Sequence, residues 1–353
     1  MSEFWMNSRR RTLQKTNNPT PNPLPACIGG GVRGRFRSHG KRFNLVSSVA
    51  ALNSQLENRK SKISNQNSLE FLMHTWHWQT WNGLPYLTCS LLEQWPHGFF
   101  TNQFWPRSPQ ELVGALRPTA RVYRVKQVHG NTVLPTGTLT PVSEGALESP
   151  ESDLTEASAQ NNQNTPDREP FLHADGLHTQ KALEAVWVAS ADCTPVLIAD
   201  SETGQVAAVH SGWRGTARQI VPEAIAKLQQ QGSKLENLRV AMGPAIAGEV
   251  YQVSLEVAAE VGATAVPKGQ AGDAAAILDI LQKLPAPPVL ADPEPGRVRL
   301  DVRRAIALQL EQLGIAPEQI ACAPHCTYQS PEYFFSYRRD SQKKVQWSGI
   351  VSI

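Results

Sequence analysis

Three separated segments of the chain each lead an apolar run into a side chain that binds transition metals. They are Val125-Lys126-Gln127-Val128-His129-Gly130, Val188-Ala189-Ser190-Ala191-Asp192-Cys193 and Ala207-Ala208-Val209-His210-Ser211-Gly212. A strand end holds such a side chain rigidly, and the turn beside it leaves room for a ligand. Two imidazoles and one thiolate suit zinc, and three protein ligands leave a fourth position for water or substrate. Spacing alone does not decide the matter, because no short paired metal motif is present. Either histidine could equally be an ordinary side chain, and Cys193 a buried thiol.

The loop Ser211-Gly212-Trp213-Arg214-Gly215-Thr216 follows the last of these residues and leads into an expected helix, with Thr216 as its N-cap. Two glycines bracket Arg214 there. Backbone N–H groups at a helix start plus a guanidinium make an anion site, with Arg214 and Gly215 as its phosphate-binding residues. A tight turn with Arg214 in solvent is the alternative. Asp192 and Asp175 lie beside this machinery, as general acid/base groups or as structural caps. Cys322-Ala323-Pro324-His325-Cys326 reads as a pair of core thiols rather than a second metal site, and His74 and His77 as part of an exposed strand and its neighbour. Tyr337-Arg338-Arg339-Asp340 could contact an anion through Arg338, or form a surface ion pair.

The elements that must position these groups follow from periodicity. Strands are expected over 76–87, 123–128, 184–190, 194–199, 205–210 and 239–242, and strand-like segments over 333–337 and 345–353. Helices are expected over about 217–230, apolar at Ile220, Val221, Ala224, Ile225 and Leu228, and over about 302–313, stopping at Gly314. Strand and helix mix without a regular βαβ cadence, which favours an α+β fold.

The first 72 residues carry 12 Lys/Arg against 3 Asp/Glu and lack apolar periodicity. They read as a disordered or mis-called extension, with one catalytic domain over 73–353. Residues 138–170, rich in Ser, Glu, Asn and Pro, read as a disordered insertion. The net charge of +3 therefore hides a mildly acidic remainder, which gives no reason to expect nucleic acid as a partner. No apolar run approaches the roughly 20 residues that span a bilayer, so no membrane association is expected. Five scattered cysteines form no disulfide framework and fit a reducing, cytoplasmic setting. No obligate protein partner is evident.

Several ordered segments resemble the signatures of the YfiH/laccase-domain family across nearly all of residues 90–353. They include Lys126-Gln127-Val128-His129-Gly130, Ala174-Asp175-Gly176, Ala191-Asp192-Cys193-Thr194-Pro195 and His210-Ser211-Gly212-Trp213-Arg214-Gly215. Gly243-Pro244-Ala245-Ile246 with Tyr251-Gln252-Val253, and Cys326-Thr327-Tyr328 with Phe334-Phe335-Ser336-Tyr337-Arg338-Arg339-Asp340, extend the match. The resemblance implies mixed β-sheets packed together with flanking helices, similar to the cytotoxic necrotizing factor catalytic domain. It also implies zinc held by His129, Cys193 and His210. The implied activity is phosphorolysis of purine nucleosides (adenosine, inosine, guanosine and methylthioadenosine), with adenosine deamination beside it. One departure falls at His97-Gly98-Phe99-Phe100-Thr101-Asn102, where Asn102 replaces an arginine of the family pattern at an expected phosphate-binding position.

Two alternatives remain at this level. The family was first described as multicopper polyphenol oxidases, which makes copper the other candidate metal. Such a site needs on the order of ten histidine ligands and a Cys/His electron-transfer centre. The chain has nine histidines in all. The second alternative is a thiol hydrolase built on Cys193 and a nearby His.

Overall fold

The computed structural model describes residues 74–142 and 171–353, apart from Lys268 and Ala271; the described residues fall in the larger of two compact units, residues 56–353. The expected N-terminal extension, and the expected insertion from residue 143 to 170, lie outside them. Residues 138–142 are held, with Val142 donating its N–H to Val122 O at 2.9 Å.

Fifteen strands lie among the described residues, and chain order runs through all three sheets. The first sheet joins β1 (Trp76–Trp81), β2 (Leu84–Cys89), β3 (His97–Phe100), β4 (Arg121–Tyr123), β7 (Glu184–Ser190) and β15 (Gln346–Val351) in the order β1-β2-β3-β15-β7-β4. The second joins β5 (Val133–Pro135), β6 (Gly176–Thr179), β8 (Thr194–Asp200), β9 (Val206–Ser211), β10 (Leu238–Met242) and β14 (Ile320–Cys322) in the order β14-β10-β8-β9-β6-β5. A small third sheet is built from β11 (Gln252–Ser254), β12 (Val289–Ala291) and β13 (Arg297–Leu300). Both large sheets are mixed. The pairs β4–β7, β5–β6 and β10–β14 are parallel, and the other pairings are antiparallel.

Side-chain alternation explains how the sheets stack. Successive residues of a strand face opposite sides, so a strand covered on both faces reads as an unbroken apolar run. Along β8, Leu197 and Ala199 join Val186 and Val188 of β7 in a core between the two large sheets. Val196 and Ile198 face the other way, into a second core under the helices. Ala185, Trp187 and Ala189 of β7 close a third cluster on the outer face of the first sheet, against α1 (Pro109–Leu116). The α+β class and the mixed-sheet architecture with flanking helices follow from these layers.

The helices on the second sheet are α2 (Trp213–Ala217), α3 (Ile220–Gln230), α4 (Leu255–Gly262), α5 (Ala274–Gln282) and α6 (Val302–Leu313). α6 starts where the Asp301 side chain accepts from Arg304 N and stops at Gly314 in the left-handed region. The single helix expected over 217–230 is two. Gln219, with φ of 58°, breaks it and turns the chain from the one-turn α2 into α3. Thr216 is not the N-cap; it lies inside α2 and donates its hydroxyl to Gly212 O at 2.9 Å. Tyr333–Tyr337 forms no strand either. Tyr333 and Phe334 donate backward to Ser330 O, and the Ser336 hydroxyl then caps the short α7 (Tyr337–Asp340). Local hydrogen bonds from hydroxyls outcompete β propensity at such points.

Candidate metal centre

Strand β7 belongs to the first sheet and β8 to the second, so the three residues between them must cross from one layer to the other. Asp192 makes that crossing in the left-handed region, with φ of 81°. Asp and Asn tolerate this conformation better than other residues with a side chain. Cys193 follows immediately and is half-buried. His210 stands near the end of β9, paired with Pro195 of β8 across the sheet. His129 lies in the loop before β5 and is also left-handed, with φ of 57°. His129 therefore sits beyond a strand rather than on its end.

These three side chains converge. Their ligand atoms lie within 4.8 Å of one another, and among the described residues they are the one such group of His, Cys, Asp and Glu. The two imidazole rings meet nearly edge to face, with centroids 4.8 Å apart. Gly212 makes the close approach possible. A Cβ there would stand 2.7 Å from Cys193 Sγ and 3.5 Å from His129 Cδ2. Gly215 serves a similar purpose one turn on, where a Cβ would come within 3.2 Å of Gly130 O.

Asp175 organises the centre from behind. It is fully buried. Its Oδ1 accepts from His129 N at 2.8 Å and from His210 Nδ1 at 3.0 Å, and its Oδ2 accepts from Gly130 N at 2.7 Å. Val128 N donates to the same carboxylate at 3.1 Å. One carboxylate thus fixes the His129 loop and leaves the His210 Nε2 as the free nitrogen. Burial alone would raise the Asp175 pKa, but His210 and the backbone donors outweigh it and hold the carboxyl below its ordinary range. Of the two readings open for Asp175 in the sequence, this geometry fits the structural one.

Electrostatics point the same way at Cys193 and His210. Burial opposes the thiolate, but the charge on His210 and hydrogen bonding to both imidazoles bring the Cys193 thiol well below its usual range. Burial likewise opposes the imidazolium, and Cys193 and Asp175 together push His210 upward. A compact anionic sulfur between two imidazoles is the donor set that a divalent zinc ion takes, and the residues fit that ion.

Asp192 is likewise tied. Thr327 Oγ1 donates to its Oδ1 at 2.7 Å, and Arg338 N donates to its Oδ2 at 2.7 Å. The Arg338 guanidinium lies over the Tyr251 ring at 4.8 Å and donates to Gln252 O at 2.9 Å. Arg214 is exposed and lies over Trp213 at 4.7 Å. Among the described residues neither guanidinium forms an ion pair with a carboxylate. Arg339 does: it bonds Asp340 at 2.8 Å and also donates to Thr327 O and Phe334 O. The ion pair expected in the Tyr337–Asp340 stretch is thus formed by Arg339. Asn102 donates its side-chain amide to Pro331 O at 2.9 Å, tying β3 to the turn that leads into α7. Cys322 and Cys326 are free thiols, as expected, with Cys326 Sγ accepting from Ala247 N.

Sequence reasoning missed Tyr251 and Thr327 as neighbours of the centre. Both stood in the segments that resemble the family, yet nothing local marks them. Their position depends on residues more than fifty places away.

Residues 108–352 match the family described as multi-copper polyphenol oxidoreductase laccase. The chain belongs to this family. Within it, a Synechocystis protein named purine nucleoside phosphorylase is 50% identical over 277 residues, covering 78% of this chain and 97% of the relative. A Corynebacterium glutamicum protein of the same name is 31% identical over 241 residues, covering 68% and 77%. Among solved structures, YlmD from Geobacillus stearothermophilus superposes with a TM-score of 0.60 at 22% identity, over 78% of this chain and 98% of that one. Bacillus licheniformis YfiH gives 0.54 at 21%, over 76% and 96%. At that identity these structures establish the YfiH-like fold and nothing finer.

Proposed function

We propose that the chain is a zinc-dependent purine nucleoside phosphorylase that also deaminates adenosine. The observation that carries this reading is the convergence of His129, Cys193 and His210, with Arg214 four residues after His210 and Arg338 bonded through its backbone to Asp192, neither guanidinium having a carboxylate partner among the described residues. The names of the relatives supply the reaction class.

His129, Cys193 and His210 would hold the ion, which when bound supplies a Lewis acid for oxygen or for charge developing on the departing base. Asp175 positions rather than shuttles: it keeps the proton on His210 Nδ1 and fixes the His129 loop. Arg214 and Arg338 attract phosphate and orient it toward the ribose anomeric carbon, where the C–N bond to the purine breaks. Gly215 contributes by letting α2 approach Gly130, and Asn102 by seating the 331–333 turn. Asp192 holds Cys193 and Arg338 in one frame. The decisive experiment incubates zinc-loaded protein with adenosine, with and without phosphate. Adenine and ribose 1-phosphate formed only with phosphate support phosphorolysis, and inosine supports deamination. Neither adenine nor inosine under any condition would sink the reading.

One observation favours a second reading. Without metal, Cys193, His210 and Asp175 are arranged as nucleophile, base and orienting carboxylate, which suits a thiol hydrolase. Alkylation separates the two: a metal-held thiolate resists iodoacetamide until a chelator strips the ion, whereas a free nucleophile reacts equally in both conditions.

A further inference from the structure

Tyr251 is a half-buried phenol in contact with one of these guanidiniums. Its ring lies under the Arg338 guanidinium, and Arg338 is in turn fixed through its own backbone N–H to Asp192, the residue before Cys193. The charges of Cys193, Arg338, Asp192 and Arg214 all act on the phenol, and of these Arg338 is the one in direct contact with its ring. Its backbone is pinned on both sides: Tyr251 N donates to Gly248 O at 3.3 Å, and Leu300 N donates to Tyr251 O at 3.0 Å. The ring also packs against the core under the helices. Yet among the described residues its hydroxyl has no hydrogen-bond partner. The hydroxyl oxygen is not among the fully buried polar atoms, so solvent or a ligand can reach it.

A rigid, neutral O–H donor beside a cationic fork is the complement of a tetrahedral oxyanion. The guanidiniums supply charge, and the phenol adds a directed hydrogen bond without adding charge. We propose that Tyr251 is the third anion-contacting residue of this site, its hydroxyl donating to an oxygen of the inorganic phosphate that Arg214 and Arg338 attract. The inference rests on the phosphorolytic reading for its co-substrate but not for its geometry. A phenol, with an ordinary pKa of about 10, is a hydrogen-bond donor at neutral pH.

The test uses zinc-loaded Tyr251→Phe, compared with the wild type in zinc content, in phosphate affinity by calorimetry, and in KM for phosphate and for adenosine. Loss of one hydrogen bond to a charged oxygen weakens phosphate binding by about tenfold. The expected result is that loss in phosphate affinity and phosphate KM, with zinc content and adenosine KM unchanged. A general structural role would move all of them together and would overturn the proposal. So would a phosphate affinity within twofold of wild type. Should the variant fail to fold or to retain zinc, the wild-type crystal structure with inorganic phosphate decides: a phosphate oxygen within hydrogen-bond distance of Tyr251 Oη supports the assignment, and phosphate bound out of its reach refutes it. Wild-type protein that binds phosphate yet leaves adenosine intact would remove the phosphorolytic reading while keeping the contact.

Discussion

Asp175 has no contact with solvent, and its two oxygens serve four donors belonging to the candidate metal ligands His129 and His210 and their neighbours. An asparagine there would keep the size, lose the charge, and offer one acceptor where two are used. Its amide N–H would face backbone N–H groups. Carboxylates that orient a ligating histidine contribute about 10–100-fold to metal affinity. Asp175→Asn should therefore weaken zinc binding by that range in a chelator competition at neutral pH. Affinity within twofold of wild type would show that the His210 orientation does not depend on this carboxylate. His97 presents a different kind of histidine. Its Nε2 accepts from Cys89 N at 2.8 Å and its Nδ1 bonds Trp95 O at 2.8 Å, so the neutral ring is fully used in the core. Burial outweighs the Trp95 contact and lowers its pKa to about 4. The unfolded chain takes up this proton near the ordinary value of about 6.5, whereas the folded chain resists until about 4. Stability from this group is thus complete above that upper value and falls as pH drops through the window. Urea midpoints of His97→Gln, measured against wild type, should decline less steeply across that interval; parallel curves would remove His97 as the cause.

The crossover from β7 to β8 explains which parts of the site were legible in the sequence. Strands buried on two faces announce themselves as unbroken apolar runs, so 184–190 and 194–199 could be placed, along with the turn at Asp200–Gly204. Cys193 and His210 could be named because each adjoins such a run. The partners of Asp192 could not, since Thr327 and Arg338 stand 135 and 146 residues further along the chain. No local pattern specifies a contact of that span, and so the sequence left Asp192 undecided between proton transfer and capping. Helix α2 failed for a related reason. The apolar spacing from Ile220 onward is helical, but the hydroxyl of Thr216 and the left-handed Gln219 divide the segment in a way that periodicity does not encode. Tyr333–Tyr337 has the composition of a strand, yet it turns because Arg339 gathers the carbonyls of Thr327, Tyr328 and Phe334 around one guanidinium. Element types in continuous apolar stretches were readable; breaks set by individual polar side chains and a left-handed residue were not.

For the whole molecule, a metal ion would be an addition to a frame that already has its cores. Three apolar clusters fill the layers on both sides of each large sheet, and none of them includes His129, Cys193 or His210. Small metallo-domains that unfold without their ion lack such a core. Here the ion would join the loop before β5, the crossover between the sheets and the end of β9, three places already held by Asp175 and Asp192. Metal binding then stabilises by mass action, giving about 2.7 kcal/mol when free zinc is 100-fold above its dissociation constant. For a domain of this size, each kcal/mol moves Tm by about 2–4 °C. Stripping the ion with a chelator should lower Tm by about 5–10 °C while the far-ultraviolet circular dichroism at 25 °C keeps its native form, and added zinc should restore the loss. Collapse of the spectrum on chelation would mean that the sheets depend on the metal for their registry. An unchanged Tm in both directions would mean that the ion is bound too weakly to join the three segments, and the chemistry assigned to His129, Cys193 and His210 would lose its basis.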